Sequence, residues 1–159
     1  MSIKQGDIAL LNDPVAQDLL QSTKVAHLAY VWPDGTPRVT PIWFHWNGQE
    51  IIMSSPSKMP KVEALKEKPE VALTIDGDEW PYKVLLIRGT AEVDIVDGVP
   101  SEYADCADRY FGPEVGEGWT QQMGGMFEQM ARFCVRPKWV GVLDFEQRFP
   151  SAIAAAMAA

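Results

Sequence analysis

Two tight-turn pairs, Asp34-Gly35 and Asn47-Gly48, constrain the possible fold of this chain more than any other feature. Each pair lies between two strand-like segments rich in β-branched and aromatic residues. The three segments are KVAHLAYVW (24–32), TPRVTPIWFHW (36–46) and EIIMSS (50–55). Asp-Gly and Asn-Gly supply the positive φ angles that short hairpin turns require. The sequence therefore predicts an antiparallel meander of three strands.

Three further strand-like segments follow later in the chain. They are EVALTID (70–76), YKVLLIRGTAEVDIV (82–96) and FCVRPKWVGVLDFE (133–146). A glycine inside a strand marks a bulge or a bend, which we expect at Gly89, and Pro137 restricts the last strand to an edge or a bulge. Six strands with a helix between the third and the fourth predict a mainly β (α+β) fold. The expected architecture is a six-stranded antiparallel split β-barrel with flanking helices, formed by residues 1–159 as a single domain.

Three regions are predicted to be helical. The first helix begins at Pro14 after Asn12 or Asp13, because proline is tolerated in the first turn of a helix. A second helix begins near Pro60 and stops at Pro69, since a proline disfavours helical angles in the residue before it. Residues 99–131 read as largely helical.

The acidic charge of the chain excludes one broad class of function. The net charge is −8 and the isoelectric point is about 4.7. A general nucleic-acid binder presents a basic face to the phosphate backbone, so no nucleic-acid partner is expected. No uncharged run reaches the roughly 20 residues that span a bilayer, and the first residues lack the order of a secretory signal. We therefore expect a cytoplasmic protein without a membrane partner.

Neither the cysteines nor the histidines are spaced as metal ligands. Cys106 and Cys134 lie far apart without a paired spacing, and we interpret them as buried free thiols. His27 and His45 lie on separate strands and have no cluster of further ligands around them. No metal site is predicted.

A basic stretch, SSPSKMPKVEALKEKP (54–69), stands out in this acidic chain. A lysine in the first turn of a helix opposes the helix dipole unless an anion binds there, and Lys61 occupies such a position. Ser54 and Ser55 end the preceding strand and offer hydroxyl donors to the same space. Hydroxyls, loop amides, a helix N-terminus and an ammonium group together can hold a phosphate. Lys58 is either a further contact or a solvated loop lysine, whereas Lys66 and Lys68 are interpreted as solvated.

The order of several short motifs resembles a known family. The motifs are a glycine and a proline before a strand, a strand ending in hydroxyls, a lysine six residues later, a proline eight residues beyond it, and Gly-x-Ala in the following strand. They fall on Gly35, Pro37, Ser55, Lys61, Pro69, Gly89 and Ala91. In this order they resemble the flavin-binding split-barrel superfamily of the pyridoxamine 5'-phosphate oxidases, whose relatives include the flavin/deazaflavin oxidoreductases. The resemblance covers roughly residues 14–150.

The resemblance implies a homodimer that binds a flavin-type cofactor, FMN or alternatively the deazaflavin coenzyme F420, at the subunit interface. Ser54, Ser55 and Lys61 match the positions that hold the phosphate in the family. The strand RVTPIW matches the segment along the ring system, which makes Arg38, Val39, Thr40 and Pro41 expected contacts. Arg38 or Lys58 adds charge, and Trp80 matches a tryptophan near the cofactor in some deazaflavin-using relatives.

The chain also departs from the pattern of the family. Pyridoxamine phosphate oxidases end in an Arg-x-His-type substrate motif, of which only Arg148 is present here. Pyridoxamine phosphate is therefore not the expected substrate. Because the cofactor carries the hydride in flavin chemistry, we name no catalytic residue.

Three functions remain open at this point. The first, which we favour, is an FMN-dependent oxidoreductase acting on a small-molecule substrate. The second is a reductase of the same fold that uses coenzyme F420. The third is a non-enzymatic protein that binds a flavin or haem.

Overall fold

The computed structural model describes residues 3–159 as one curled antiparallel sheet surrounded by helices. The strands are β1 (Ala26–Val31), β2 (Pro37–Ile42), β3 (His45–Trp46), β4 (Ile51–Pro56), β5 (Glu70–Asp76), β6 (Lys83–Asp97) and β7 (Gln129–Asp144). The helices are α1 (Pro14–Leu20), α2 (Pro60–Glu67), α3 (Ser101–Phe111), α4 (Pro113–Met126) and α5 (Ser151–Ala158), and a 3₁₀ turn spans Ile8–Asn12. No helix in this described part of the chain is long and apolar enough to cross a membrane.

The strand order explains why the sheet closes into a split barrel. The order is β2-β1-β5-β6-β7-β4-β3, and every pair is antiparallel. The two end strands, β2 and β3, are consecutive in the chain and are joined only by Trp43 and Phe44. Three Cα steps span at most about 11 Å, so the two ends of a seven-stranded sheet are held close together. The predicted α+β split-barrel fold is confirmed.

The number of strands differs from the prediction by one. The predicted strand 36–46 is two strands, because its first half pairs with β1 and its second half pairs with β4. The predicted three-stranded meander was therefore wrong in its pairing, since β2 and β4 are not neighbours in the sheet. The pair Ala26–Ile42 is the last between β1 and β2, and the pair His45–Ile52 is the first between β3 and β4.

The core lies inside the barrel and is closed by helices. Alternate residues of the strands face it, among them the fully buried Leu28, Leu85 and Phe133. Helix α1 adds Leu20 and helix α2 adds Leu65, both nearly inaccessible to solvent. Burying side chains of this size contributes about 1.5–3 kcal/mol each. The core thus fixes the position of α2, which carries the predicted phosphate ligand.

Local signals in the sequence explain most of the element boundaries. Gly35 and Gly48 have φ angles of 87° and 98°, as the two predicted hairpin turns require. The Asp13 carboxylate accepts a hydrogen bond of 2.9 Å from the backbone N–H of Val15 and caps α1 at its predicted start. Helix α2 begins at Pro60, also as predicted.

Two boundaries in the second half of the chain differ from the prediction. The predicted helical region 99–131 contains α3 and α4 but ends at Met126, and β7 begins at Gln129 rather than at residue 133. Residues 130–132 pair with both β4 and β6, and Gln129 pairs with β6, so long-range pairing extends the strand.

The predicted bulge at Gly89 is present, and it has a steric cause. The pairing between β6 and β7 shifts register there, from Arg88 opposite Trp139 to Gly89 opposite Pro137. A Cβ atom at Gly89 would clash with the carbonyl oxygen of Arg136 and would lie 3.0 Å from Cγ1 of Val135. The bulge thus brings the backbone of β7 so close to Gly89 that no side chain fits.

We predict that Gly89→Ala lowers the free energy of unfolding by about 1–3 kcal/mol, because the added methyl group overpacks a buried site. Gly118→Ala is the matched control. Gly118 lies inside α4 with no atom within 4 Å of the position of the added Cβ, so this change is expected to stabilise the protein by about 0.5–1 kcal/mol. Urea denaturation of both variants measures the difference, and equal stability of the two would contradict the steric account.

Candidate functional site

The barrel has an opening between the free edges of β2 and β4, which we call the split. β2 is the first strand of the sheet and has no neighbour on its outer side. β3 pairs with β4 only at Ile51 and Ile52, so the outer edge of β4 from Met53 to Pro56 is also unpaired. The split starts at the Trp43–Phe44 connection, and its two free edges extend from there to Pro37 and to Pro56. It brings the predicted ring contacts and the predicted phosphate contacts to its two sides.

The outer edge of β2 presents one backbone N–H group within this strand, that of Val39. The backbone N–H of Trp32 donates to the carbonyl of Thr36 at 2.9 Å, so the next pair, Val31–Pro37, is not hydrogen-bonded across the ladder. Antiparallel pairs alternate, and Val39 and Pro41 therefore also turn their backbone groups outward. Prolines have no N–H, which leaves Val39 as the donor. The Val39 side chain is 69% exposed on the same strand.

The two serines at the end of β4 face different sides of the strand. Ser55 lies opposite Ala131, a member of the barrel core, whereas Ser54 lies opposite Arg132, which pairs with Glu102 of α3 at 2.7 Å. The Arg132 guanidinium keeps the pKa of that carboxyl below its usual value. Adjacent residues of a strand point in opposite directions, so only one of the serines can lie beside Lys61 through its side chain. The barrel-facing Ser55 is the one on the side of α2.

Lys61 occupies the buried side of α2 at the N-terminal end of the helix. Positions i, i+3 and i+4 share a helix face, and Ala64 and Leu65 are 1% and 0% exposed. Burial lowers the pKa of the Lys61 ammonium group below its ordinary value. Among the described residues no carboxylate forms an ion pair with Lys61. A half-buried cation without a counter-charge is costly unless an anion joins it.

Backbone donors surround the same helix end. The N–H groups of Lys58 and Lys61 donate to no acceptor found in residues 3–159, and Met59, the N-cap residue, provides no side-chain cap. On the barrel side, the Ser55 hydroxyl makes only a long hydrogen bond of 3.4 Å to the carbonyl of Pro56. The Ser54 hydroxyl is buried without a partner in this part of the chain, but on the other face of β4. A helix N-terminus with free N–H groups, a hydroxyl and an uncompensated ammonium group fits a phosphate. Pro60 has no N–H, and that of Val62 donates to the carbonyl of Met59 at 2.9 Å. We call Ser55, Lys61 and the two free N–H groups at the N-terminal end of α2 the cradle.

Of the remaining lysines of the basic stretch, Lys58 and Lys66 are exposed and Lys68 is partly buried. Lys58 lines a cleft of about 670 Å³ that also borders Ser57 and the chain from Gly125 to Gln129. Lys66 pairs with Glu63 on the outer face of α2 at 3.2 Å, as expected for a solvated lysine. Lys58 therefore lies beside the cradle but outside the core-facing side of α2.

Arg38 lies on β2 beside the split, whereas Trp80 lies at the end of the barrel opposite to the cradle. The Arg38 guanidinium is stacked 5.3 Å from the ring of Trp32 beside the split. Ser55 of β4 pairs with Ala131 of β7, and Ala131 pairs on its other side with Ile95, near the end of β6. Trp80 instead lies just before the start of β6, a strand of 15 residues. Within one chain the structure therefore places Trp80 at the opposite end of the barrel. Its side chain is 68% exposed and packs edge-on against Tyr82.

The thiols and histidines form no metal site. The described residues contain no group of three or more His, Cys, Asp or Glu side chains that could hold a metal ion. Both cysteines are buried free thiols, as predicted. The Cys134 thiol donates to the Glu50 carboxylate at 2.9 Å, and burial together with this carboxylate raises its pKa to about 12. A thiol with this pKa stays protonated and unreactive at neutral pH.

Two details of the site were not predicted from the sequence. The first is that the Val39 N–H points outward, and the sequence held a signal for it, since Pro37 and Pro41 are two residues away on either side. The second is the place at which strand 36–46 divides, for which there was no signal, because Ile42, Phe44 and Trp46 continue the same alternation from β2 into β3.

Comparison with known proteins identifies relatives of this fold. A family described as "Pyridoxamine 5'-phosphate oxidase" matches residues 13–142. A solved structure named as an F420 reductase is 31% identical, with a TM-score of 0.63, and the match covers 79% of this chain and 94% of that one. No curated protein sequence matches significantly.

Two more distant structures share the fold. A conserved hypothetical protein from Mycobacterium tuberculosis is 21% identical, with a TM-score of 0.68 and coverage of 90% of this chain and 91% of that one. The haem storage protein HutZ from Vibrio cholerae is 20% identical, with a TM-score of 0.58 and coverage of 83% and 93%. At these identities the likeness concerns the fold alone.

Proposed function

The chain belongs to the pyridoxamine 5'-phosphate oxidase family, and from this premise we propose that it is an oxidoreductase that binds FMN in the split. The observation that carries the proposal is the half-buried Lys61, whose charge no carboxylate of the described chain balances. A phosphate in the cradle would supply that charge and would accept hydrogen bonds from Ser55 and from the two free N–H groups at the start of α2.

The ring of the cofactor would lie along β2. The Val39 N–H and the outward carbonyls of Pro37, Val39 and Pro41 would meet the polar edge of the isoalloxazine, which carries both acceptors and a donor. Thr40 faces the barrel side of the strand, opposite the buried Leu28. Arg38, held over Trp32, adds positive charge near the ring. This accounts for Arg38, Val39, Thr40 and Pro41 as cofactor contacts.

The role of the protein in the reaction is to bind and to orient. When bound, a flavin supplies hydride transfer, which needs few protein acids or bases. The two free strand edges fix the plane of the ring, and the barrel core behind them keeps water away from one face. The cradle fixes the phosphate end of the cofactor. The face of the ring that points away from the barrel core stays open to a small-molecule substrate. No residue is assigned a catalytic role, and pyridoxamine phosphate is not the proposed substrate.

Coenzyme F420 is the second candidate cofactor, because the relative that is 31% identical is named as an F420 reductase. The β2 edge is compatible with either ring system, since it presents backbone groups, and the cradle would contact the phosphate rather than the ring. The likeness to the haem storage protein HutZ concerns the fold alone and does not support haem binding here. His27 on the outer side of β1 and His45 beside α3 point to no common haem position.

A homodimer with the cofactor at its interface accounts for two further features. The side of the sheet opposite the core is half-buried and mostly apolar on four strands, at Ala29, Ala72, Thr74, Val84, Leu86 and Leu143. Such a face is typical of contacts between copies. Trp80, which lies far from the cradle of its own chain, would reach the cofactor of the second copy in a twofold arrangement.

The proposal is tested by purifying the protein from its native host and recording its visible spectrum, with mass spectrometry of the released ligand. FMN is the expected ligand, and its reduction by a nicotinamide nucleotide followed by reoxidation with a candidate substrate would establish the oxidoreductase. Release of F420 supports the second candidate instead. A protein that binds no flavin or deazaflavin even when supplied with one would overturn the proposed function.

We predict that Lys61→Ala weakens FMN binding far more than riboflavin binding, because only FMN carries the phosphate. The loss of a charge-assisted hydrogen bond costs about 1.5–3 kcal/mol, or roughly 10–150-fold in Kd for FMN, with riboflavin within about twofold. Fluorescence titration with both ligands measures it. Lys66→Ala, on the exposed face of the same helix, is the control and leaves both affinities unchanged. Equal losses for FMN and riboflavin would contradict the cradle.

We predict that Val39→Pro weakens FMN and riboflavin by the same factor, roughly tenfold, because it removes the outward N–H that meets the ring. Pro37 and Pro41, two residues away on either side, also turn their backbone outward and show that proline is tolerated there. The pairing of β2 with β1 therefore loses no hydrogen bond. Val39→Ala keeps the N–H and is the matched control. Unchanged affinity of the proline variant, measured in the same titrations, would rule out this contact.

A further inference from the structure

The last turn of α3 holds the closed end of the split. The Arg109 guanidinium donates to the carbonyl oxygen of Phe44, in the connection between β2 and β3, and through Nε to the carbonyl of Ser22 at 3.1 Å. Its Cζ also lies 5.0 Å from the centre of the Phe44 ring. One half-buried side chain thus joins the chain before β1 to the connection Trp43–Phe44 after β2, which we call the break.

The neighbouring residue of α3 repeats this link. The Tyr110 hydroxyl donates to the carbonyl of Lys24 at 2.6 Å and accepts from Arg109 at 3.3 Å. Its ring stacks on Trp43, with the centroids 5.1 Å apart and the planes 13° from parallel. Burial raises the pKa of Tyr110, so its hydroxyl remains a neutral donor at neutral pH. Arg109 and Tyr110 together contact both residues of the break.

These contacts are more than helix α3 needs in order to dock. Cys106 and Ala107 bury the middle of the helix at 3% and 0% exposure, and Glu102 accepts two hydrogen bonds from Arg132 of β7 at 3.0 and 2.7 Å. The helix is thus anchored at its start and its centre without Arg109. The acceptors of Arg109 and Tyr110 are backbone carbonyls of the segments around β1 and β2, so these bonds act on the position of those strands.

The break decides how far β2 stands from β4. At the closed end of the split only Trp43 and Phe44 join β2 to β3. A change in the direction of the backbone at either residue would move the whole outer edge of β2 relative to the cradle. A ring held between two edges tolerates little displacement, because hydrogen bonds weaken steeply with distance and angle.

We propose that Arg109 and Tyr110 are positioning residues that set the width of the split, and with it the affinity for the cofactor ring, without contacting the cofactor. The inference rests on the proposed function for its ligand but not for its structural part. We call this pair of side chains the clamp. Helix α3 is fixed on β7, and through Arg109 and Tyr110 it holds the break and the segment before β1 in fixed positions.

The clamp is tested with Arg109→Ala, Arg109→Lys and Tyr110→Phe, and with Glu102→Gln as the matched control, which weakens another anchor of α3. The first measurement needs no ligand. Amide hydrogen exchange over residues 37–46 is expected to rise at least tenfold in Arg109→Ala and to a smaller extent in Arg109→Lys, since a lysine cannot reach both carbonyls. Glu102→Gln leaves exchange in this segment unchanged.

The second measurement is the titration with FMN and riboflavin. Arg109→Ala and Tyr110→Phe are expected to lose roughly tenfold and threefold in affinity, each by the same factor for both ligands, because the ring site and not the cradle is altered. Lys61→Ala, in contrast, changes the ratio of the two affinities. If Arg109→Ala does not fold, Tyr110→Phe carries the test, since it keeps the stacking on Trp43 and removes one hydroxyl.

The outcomes separate the two proposals. Exchange and affinity in Arg109→Ala and Tyr110→Phe that match those of Glu102→Gln would overturn the clamp while flavin binding stands. Raised exchange at 37–46 in a protein that binds no flavin would support the clamp as a structural device and overturn its role in cofactor affinity together with the proposed function.

Discussion

The connection of two residues between β2 and β3 is the constraint on which the rest of the structure depends. It forces the ends of a seven-stranded sheet together, yet the two strands pair with different neighbours. A closed barrel leaves no free strand edge, whereas this one leaves two, on β2 and on β4. Unpaired backbone groups need partners, and a planar ligand with a polar edge can provide them. The site is thus a consequence of incomplete closure.

Local rather than total charge governs what the split can hold. The chain carries a net charge of −8, but interactions between exposed charges are screened within about 8–10 Å at physiological ionic strength. Lys61 is half-buried and lacks a counter-charge in the described chain, so its attraction for an anion is screened less than that of the exposed Lys58 or Lys66. An acidic protein can therefore bind a phosphate at one place and still repel a nucleic-acid backbone over most of its surface.

The parts of the fold that the sequence predicted are those encoded by local chemistry. Gly35 and Gly48 marked the hairpins, Pro60 marked the start of α2, and Gly89 marked the bulge. The division of strand 36–46 was hidden, because its alternation runs unbroken and the break depends on which neighbours each half finds. The side chains of Ser54 and Ser55 point to opposite faces of β4, which follows from the two-residue period of a strand and could have been predicted. The contacts of Arg109 join residues far apart in the chain, and no local pattern indicates them.

The arrangement of the split also bears on how one fold serves different cofactors. Val39 offers the outward N–H of β2, and a deazaflavin has a C–H group where a flavin has the acceptor N5. An N–H directed at that atom would favour a flavin, because leaving a donor unpaired costs about 1–3 kcal/mol. An N–H directed at the pyrimidine end of the ring would accept both cofactors equally. The register of one strand edge, set by the break at Trp43 and Phe44, would therefore be enough to choose between them without any change in the cradle.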